Sequence, residues 1–286
     1  MSIRTDAQEI IQQALHACLP DQAVRKALAG KEFGAGKVYL VAIGKAAWQM
    51  ASCGAQLLGD RLEAGVVVTK HDHSQGEIPH CTIIEGGHPV PDEGSFRGTQ
   101  AAMDLVRDLK PEDTVVFLVS GGGSALFECP LIPAEELMAL TNELLACGAD
   151  IVEMNTIRKR LSAVKGGRFA QLCAPAQVYS IVLSDILGDP LDMIASGPAY
   201  PDQSTCAQAL AIAEKYHLHL SPKAMELLGQ ETPKVLDNVE TVVTGSVREL
   251  CAAAAQASRD LGYEPVLLTD QLCCQAKEAG SFLASI

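Results

Sequence analysis

Residues 114–126 read Thr-Val-Val-Phe-Leu-Val-Ser-Gly-Gly-Gly-Ser-Ala-Leu. The β-branched and aromatic run 114–119 has the make-up of a strand, and three consecutive glycines follow directly at its carboxyl end. Residues 37–47, KVYLVAIGKAA, repeat the arrangement: a buried strand over 37–43, Gly44, then a helix over 45–58. Working outward from these two, strands are expected at 65–69 and 81–85, and a helix over 95–109 leads into the strand at 114–119. Helices over 134–147 and 151–163 precede a strand at 178–183, and helices follow over 205–216 and 222–228. The last unit is a strand at 240–244, a helix over 247–261 and a strand at 265–268. Strands separated by helices of this length imply an α/β protein, a Rossmann-like three-layer α/β/α sandwich with a mostly parallel sheet. Right-handed crossovers then set its hand.

A chain of 286 residues accommodates one large domain or two, and no Pro/Gly/Ser linker, repeat or low-complexity tract divides it. With 22 basic against 35 acidic residues, the net charge of −13 argues against nucleic-acid binding, which relies on Lys and Arg at phosphates. The apolar runs fall far short of the roughly 20 residues that cross a bilayer. The acidic first residues do not resemble a signal peptide. A cytoplasmic protein with no nucleic-acid or membrane partner is expected. The ten cysteines form no C-x-x-C, and the only close pair is Cys273–Cys274, so they read as reduced, mostly buried thiols. Residues 273–286 have helical spacing without a terminating Gly or Pro.

In open α/β sheets, ligands gather at the carboxyl ends of the strands. Four such ends carry unusual residues. Lys45 falls in the first turn of a helix, where a cation opposes the helix dipole, so a role with the neighbouring peptide N–H groups in receiving a phosphate or carboxylate is expected. It is not a Walker A lysine, since Ala46 follows it rather than Ser or Thr. Ser120, Gly121, Gly122, Gly123 and Ser124 offer a loop whose backbone can approach an anion closely. Residues 155–168 concentrate Arg158, Lys159, Arg160, Lys165 and Arg168 within eleven positions of an acidic chain, with Asn155 as a candidate N-cap. Arg158, Leu161, Ser162 and Lys165 would share one helix face, and such a charge cluster can focus anionic substrates. Asp185 and Asp189 follow a strand and can hold Mg²⁺ or accept a proton from a hydroxyl, although Asx-turn chemistry suits them equally. His71, His73, His80 and His88 lie in polar loop sequence without zinc-ligand spacing and read as exposed loop histidines, with 88–92 (HPVPD) as a rigid turn.

Taken in order, residues 42–47, 87–92, 120–126, 155–167 and 184–198 with Pro201-Asp202 resemble the type-II glycerate kinase family, the glycerate 2-kinases. In that family an amino-terminal domain is followed by a carboxy-terminal domain known as MOFRL. The resemblance runs from the first helix to about residue 270. It implies ATP-dependent phosphorylation of D-glycerate at the 2-hydroxyl, giving 2-phosphoglycerate, with Mg²⁺. Lys45 matches the family's active-site lysine, which would meet the substrate carboxylate or the transferring phosphoryl group. The loop from Ser120 to Ser124 would cradle an anionic group, Arg158 and Lys165 would add charge, and Asp185 and Asp189 would bind metal or take the hydroxyl proton.

The domain reading is an amino-terminal glycerate kinase domain over 1–270 and the start of a connection over 271–286. The family's second domain would contribute another glycine-rich loop and an arginine. This chain alone is therefore expected to turn over weakly or not at all unless another polypeptide supplies that half; a separate carboxy-terminal domain or a homo-oligomer is the expected protein partner. Two alternatives stand beside this reading. One is a non-catalytic anion- or nucleotide-binding module. The other is an NAD(P)H-dependent hydroxypyruvate reductase, a label relatives have carried. Against the reductase, no strand is followed by G-x-G-x-x-G with an acid about 20 residues on.

Overall fold

The computed structural model describes residues 2–285. In chain order the elements are α1 (Ile3–Ala17), α2 (Pro20–Leu28), β1 (Val38–Ile43), α3 (Ala47–Leu58), β2 (Leu62–Lys70), β3 (Cys81–Gly86) and α4 (Glu93–Leu105). They continue with β4 (Thr114–Val119), α5 (Gly123–Leu126), α6 (Ala134–Ala146), α7 (Ile151–Arg160), α8 (Arg168–Cys173) and β5 (Gln177–Leu183). The last are α9 (Cys206–Lys215), α10 (Pro222–Leu228), β6 (Val239–Thr244), α11 (Val247–Asp260) and α12 (Ala276–Ala284). All six strands are parallel, in the order β3-β2-β1-β4-β5-β6. The chain builds outward from β1 to β3, returns, and builds the other way from β4 to β6, which puts the topological switch between β1 and β4.

The strands are apolar on both faces because both faces are covered. Alternate residues Val41, Ile43, Val115, Phe117 and Val119 join one core with α4, α5 and α8. Leu40, Ala42, Val116 and Leu118 join a second core with α2 and α3. A third, separate core unites α6, α7, α9 and α10 through Leu137, Leu140, Ile157 and Leu227. Local signals agree with this packing. Asp92 and Asp150 each close a capping box at the start of α4 and α7. The helix expected over 151–163 runs from Ile151 to Arg160, with Asp150 rather than Asn155 as its N-cap; Asn155 is buried in its middle. The strand expected at 265–268 does not form. Its Val266 and Leu268 are 79% and 75% exposed, because an apolar run becomes a strand only where a neighbour accepts its peptide groups, and the sheet ends at β6. All ten cysteines are free, but only Cys53 and Cys173 are buried, five are half-buried and three are exposed, fewer buried than composition suggested. Among the described residues no helix is long and apolar enough to cross a membrane.

Candidate active site

The parallel register sets Ile43 of β1 level with Val119 of β4, and Val119 level with Val182 of β5. The turns after β1 and β4 therefore leave the sheet side by side. Ser120 joins them: its N–H and Oγ both donate to Ile43 O, at 3.0 and 3.2 Å, and its Oγ accepts from the Ala46 N–H at 3.1 Å. The Lys45 N–H donates to Gly121 O at 2.8 Å. These bonds correct one expectation. The peptide groups of Lys45 and Ala46 bind the neighbouring turn, so they are not free to hold a ligand, and buried Ser120 is a brace between turns. What β1 offers is the ammonium of Lys45, which is exposed and makes no ion pair or hydrogen bond among the described residues.

The glycines are required by what crowds them. A Cβ on Gly121 would overlap the Asp185 carboxylate. At Gly122, φ is +89°, and a Cβ would lie 2.9 Å from the His88 ring and 3.1 Å from Lys45 Cγ. Lys45, His88 and Asp185, from the ends of three strands, thus converge on one loop. Burial, then the charges of Lys45 and Lys70, push the His88 imidazole below its ordinary value, so the ring is neutral at pH 7. Sequence reasoning read His88 as part of a turn, yet it stands just past the carboxyl end of β3, where the strand-end rule could have found it. Ser124 Oγ lies 3.0 Å from Ser196 Oγ, and Ser196 Oγ donates to the buried Asn155 Oδ1 at 3.0 Å. With its single proton so engaged, Ser196 must accept from Ser124. Ala195 and Ser196 both hold left-handed backbone (φ 52° and 62°), a strain of the kind found at functional sites.

The basic segment sits elsewhere. Lys165 is fully buried, donates to Ser124 O and Phe127 O at 2.8 Å each, and lies 3.4 Å from buried Glu128. Burial brings it to about 8, with Glu128 opposing and Arg158 reinforcing the shift. Arg158 is largely buried, donates to Ser124 O at 3.1 Å and lies 3.7 Å from Glu128. Lys159 pairs with Asp192 and Asp202, and Arg160 with Asp202 and Glu231. Arg168 donates to the carbonyls of Lys159, Arg160 and Ser162. The cluster expected to focus anionic substrates is an internal ion network. Lys165 and Arg158 reach the loop from behind, through the Ser124 carbonyl, and do not present their charges to solvent.

Asp185 is exposed beside Gly121. Asp189 is a turn residue (φ 54°) whose N–H donates to Ile186 O at 3.1 Å, and its carboxylate is bound by none of the groups above among the described residues. Those residues contain no cluster of three or more His, Cys, Asp or Glu able to hold a metal. One or two carboxylates nonetheless fit Mg²⁺, which commonly takes its remaining ligands from water and substrate phosphates. The other histidines brace the rim. His71 Nε2 bonds Asp92 at 2.7 Å, and His73 Nδ1 donates to Lys45 O at 2.9 Å. Partial burial pushes the Asp92 carboxyl up, but His71 and the N–H groups of Ser95 and Gly87 outweigh it and hold it at about 2. His73, Asp72, Gln49 and Gln75 line a cleft of about 380 Å³ beside Lys45.

A doubly wound parallel sheet whose carboxyl edge gathers a lysine unpaired among the described residues, a crowded glycine loop and a carboxylate defines a Rossmann-like α/β domain. Residues 6–229 match the family described as Domain of unknown function (DUF4147). The chain is 48% identical to D-glycerate 2-kinase of Thermotoga maritima over its whole length, covering 68% of that protein. It is 36% identical to glycerate 2-kinase of Pyrococcus horikoshii, again over its whole length and covering 69% of the relative. A crystal structure of glycerate kinase from Thermotoga maritima superimposes with a TM-score of 0.96, over 99% of this chain and 69% of that one. The chain belongs to the glycerate kinase family.

Proposed function

We propose that the chain is an ATP-dependent glycerate kinase domain that phosphorylates the 2-hydroxyl of D-glycerate, yielding 2-phosphoglycerate and ADP. The observation that carries this reading is the meeting of an unpaired Lys45 ammonium, the Gly121–Gly122 backbone and the Asp185 carboxylate at the switch point. The 2-hydroxyl oxygen bonds to the γ-phosphorus, the bond to the β–γ bridging oxygen breaks, and ADP leaves. In such a transfer the protein's work is positioning and charge neutralisation. Lys45 meets the substrate carboxylate or the transferring phosphoryl group, and the glycine loop lets an anion close to the backbone. Asp185 takes the hydroxyl proton or, with Asp189, binds Mg²⁺, which would neutralise charge on the phosphates. Neutral His88, packed on Gly122, holds the loop's outer face without adding charge.

The test is ADP release coupled to NADH oxidation, with and without D-glycerate. The same assay is run with a separately made carboxy-terminal segment of a full-length relative. This separates a self-sufficient chain from one whose cleft another polypeptide or a second copy completes. Glycerate-dependent ADP release supports the reading. NADH oxidation driven by hydroxypyruvate without ATP would replace it with the reductase. Calorimetric binding of glycerate or ATP with no turnover in either arm would replace it with a binding module.

A further inference from the structure

Behind the glycine loop lies an ion triad that stability does not explain. Glu128, two residues past α5, is fully buried, and its Oε2 lies 3.4 Å from Lys165 Nζ and 3.7 Å from Arg158 Nη2. Among the described residues, neither of its oxygens completes a hydrogen bond. The two cations direct their protons to the loop instead: Lys165 to Ser124 O and Phe127 O, Arg158 to Ser124 O. Buried ion pairs are commonly no more stabilising than apolar side chains of the same volume, so the reason for this one is sought in what it holds. Two cations against one carboxylate also leave a positive charge over, on the inner side of the loop.

We infer that Arg158 and Lys165, with Glu128 as their counter-ion, are positioning residues for the glycine loop. They fix the Ser124 carbonyl from behind and lend the loop a buried positive charge, so that it receives an oxyanion. The inference rests on the reading of that loop as an anion cradle. The oxyanion is a carboxylate or a phosphate, and both substrates of the proposed reaction carry one. A charge behind the loop acts through protein rather than water, and salt screens it less than it screens exposed Lys45.

The groups facing Lys165 are Glu128 and Arg158, with the Cys129 thiol next in the chain to Glu128. Burial and Glu128 push the Cys129 thiol up, so it stays protonated where Lys165 titrates. On the loop's outer side His88 is pushed down and is already neutral there. Lys165, at about 8, is then the group of this cluster that changes charge in mildly alkaline solution, and the surplus disappears with its proton.

The experiment titrates D-glycerate and, separately, ATP with Mg²⁺ into the full chain by calorimetry, from about pH 7 to about pH 9.5, where the ligand carboxylate keeps its charge. The ligand held by the loop is expected to weaken about tenfold across that range, and the other much less. Lys165→Arg keeps the charge and flattens the profile. Glu128→Gln removes the group that raises Lys165, so the midpoint moves to lower pH, and this variant serves alone if the arginine does not fit the buried site. A purely structural role would lower affinity at every pH and leave the midpoint in place. A flat wild-type profile, or an unmoved midpoint in folded Glu128→Gln, overturns the inference. If Gly122→Ala also weakens neither ligand, the cradle reading falls with it; if Gly122→Ala weakens one, the cradle stands and the triad's role alone is lost.

Discussion

Two basic regions of this molecule face opposite ways. Lys45 stands at the end of β1, exposed and unpaired among the described residues, while the five cations from Arg158 to Arg168 are turned inward on Glu128, Asp192, Asp202, Glu231 and backbone carbonyls. By count the second region is the stronger positive cluster. In the fold it is largely neutralised, and of the two regions it is the exposed lysine that a soluble anion meets. A cation is free for a substrate only where the fold leaves it uncompensated, and density of charge along the chain does not report that.

The sharpest way to break this contrast is at Asp202, which is buried, bonds Lys159 at 3.1 Å and lies 3.8 Å from Arg160. Asp202→Ala leaves two buried cations short of a partner and should cost about 3–5 kcal/mol in denaturant unfolding. Burial pushes the Asp202 carboxyl up, but Thr232, Lys159 and the Ser204 N–H outweigh it and hold it below 3.8. The unfolded chain therefore binds its proton first as pH falls. The stability this carboxylate contributes is present above pH 3.8 and is lost as pH drops through its folded value. Melts of wild type and Asp202→Asn should converge at the acid end; parallel acid limbs would mean that Asp202 does not hold the network.

Lys45→Met should do the reverse. Glycerate-dependent turnover is expected to fall about 10²–10³-fold, the scale of losing one charge-stabilising group. Unfolding stability should move by no more than about 0.5 kcal/mol, as for other exposed side chains. A large loss of stability would show that Lys45 is structural after all. The smallest effect is expected at the boundary between the regions. Gly122→Ala meets a positive φ and the His88 ring, and should cost about 1 kcal/mol in thermal unfolding while displacing Lys45 enough to weaken ligand binding. An alanine tolerated in both measurements would mean that the loop is looser than its packing implies.

The strand at 114–119 and the helix at 222–228 were readable to the residue, because a continuous apolar run and a Ser-Pro start are local signals. The run at 265–268 carries the same local signal and fails, since pairing is a property of two segments. Lys45 and the glycine loop were legible because a strand-to-helix turn places its residues at the sheet's carboxyl edge whatever surrounds them. The same rule reaches His88 just past β3, but the contact of Ser196 with Asn155 was not legible, because separate segments supply them and no spacing along the chain predicts their meeting.

Chain chemistry by itself determined the alternation of strands and helices, the parallel sheet that follows from it, and the loops that lie at its carboxyl edge. These rest on periodicity and on backbone geometry within a few residues. Tertiary structure alone decided which charges are available. Glu128 and Asp202 reach Lys165 and Lys159 across 37 and 43 positions of sequence, and whether a cation is paired depends on the carboxylate that packing brings to it.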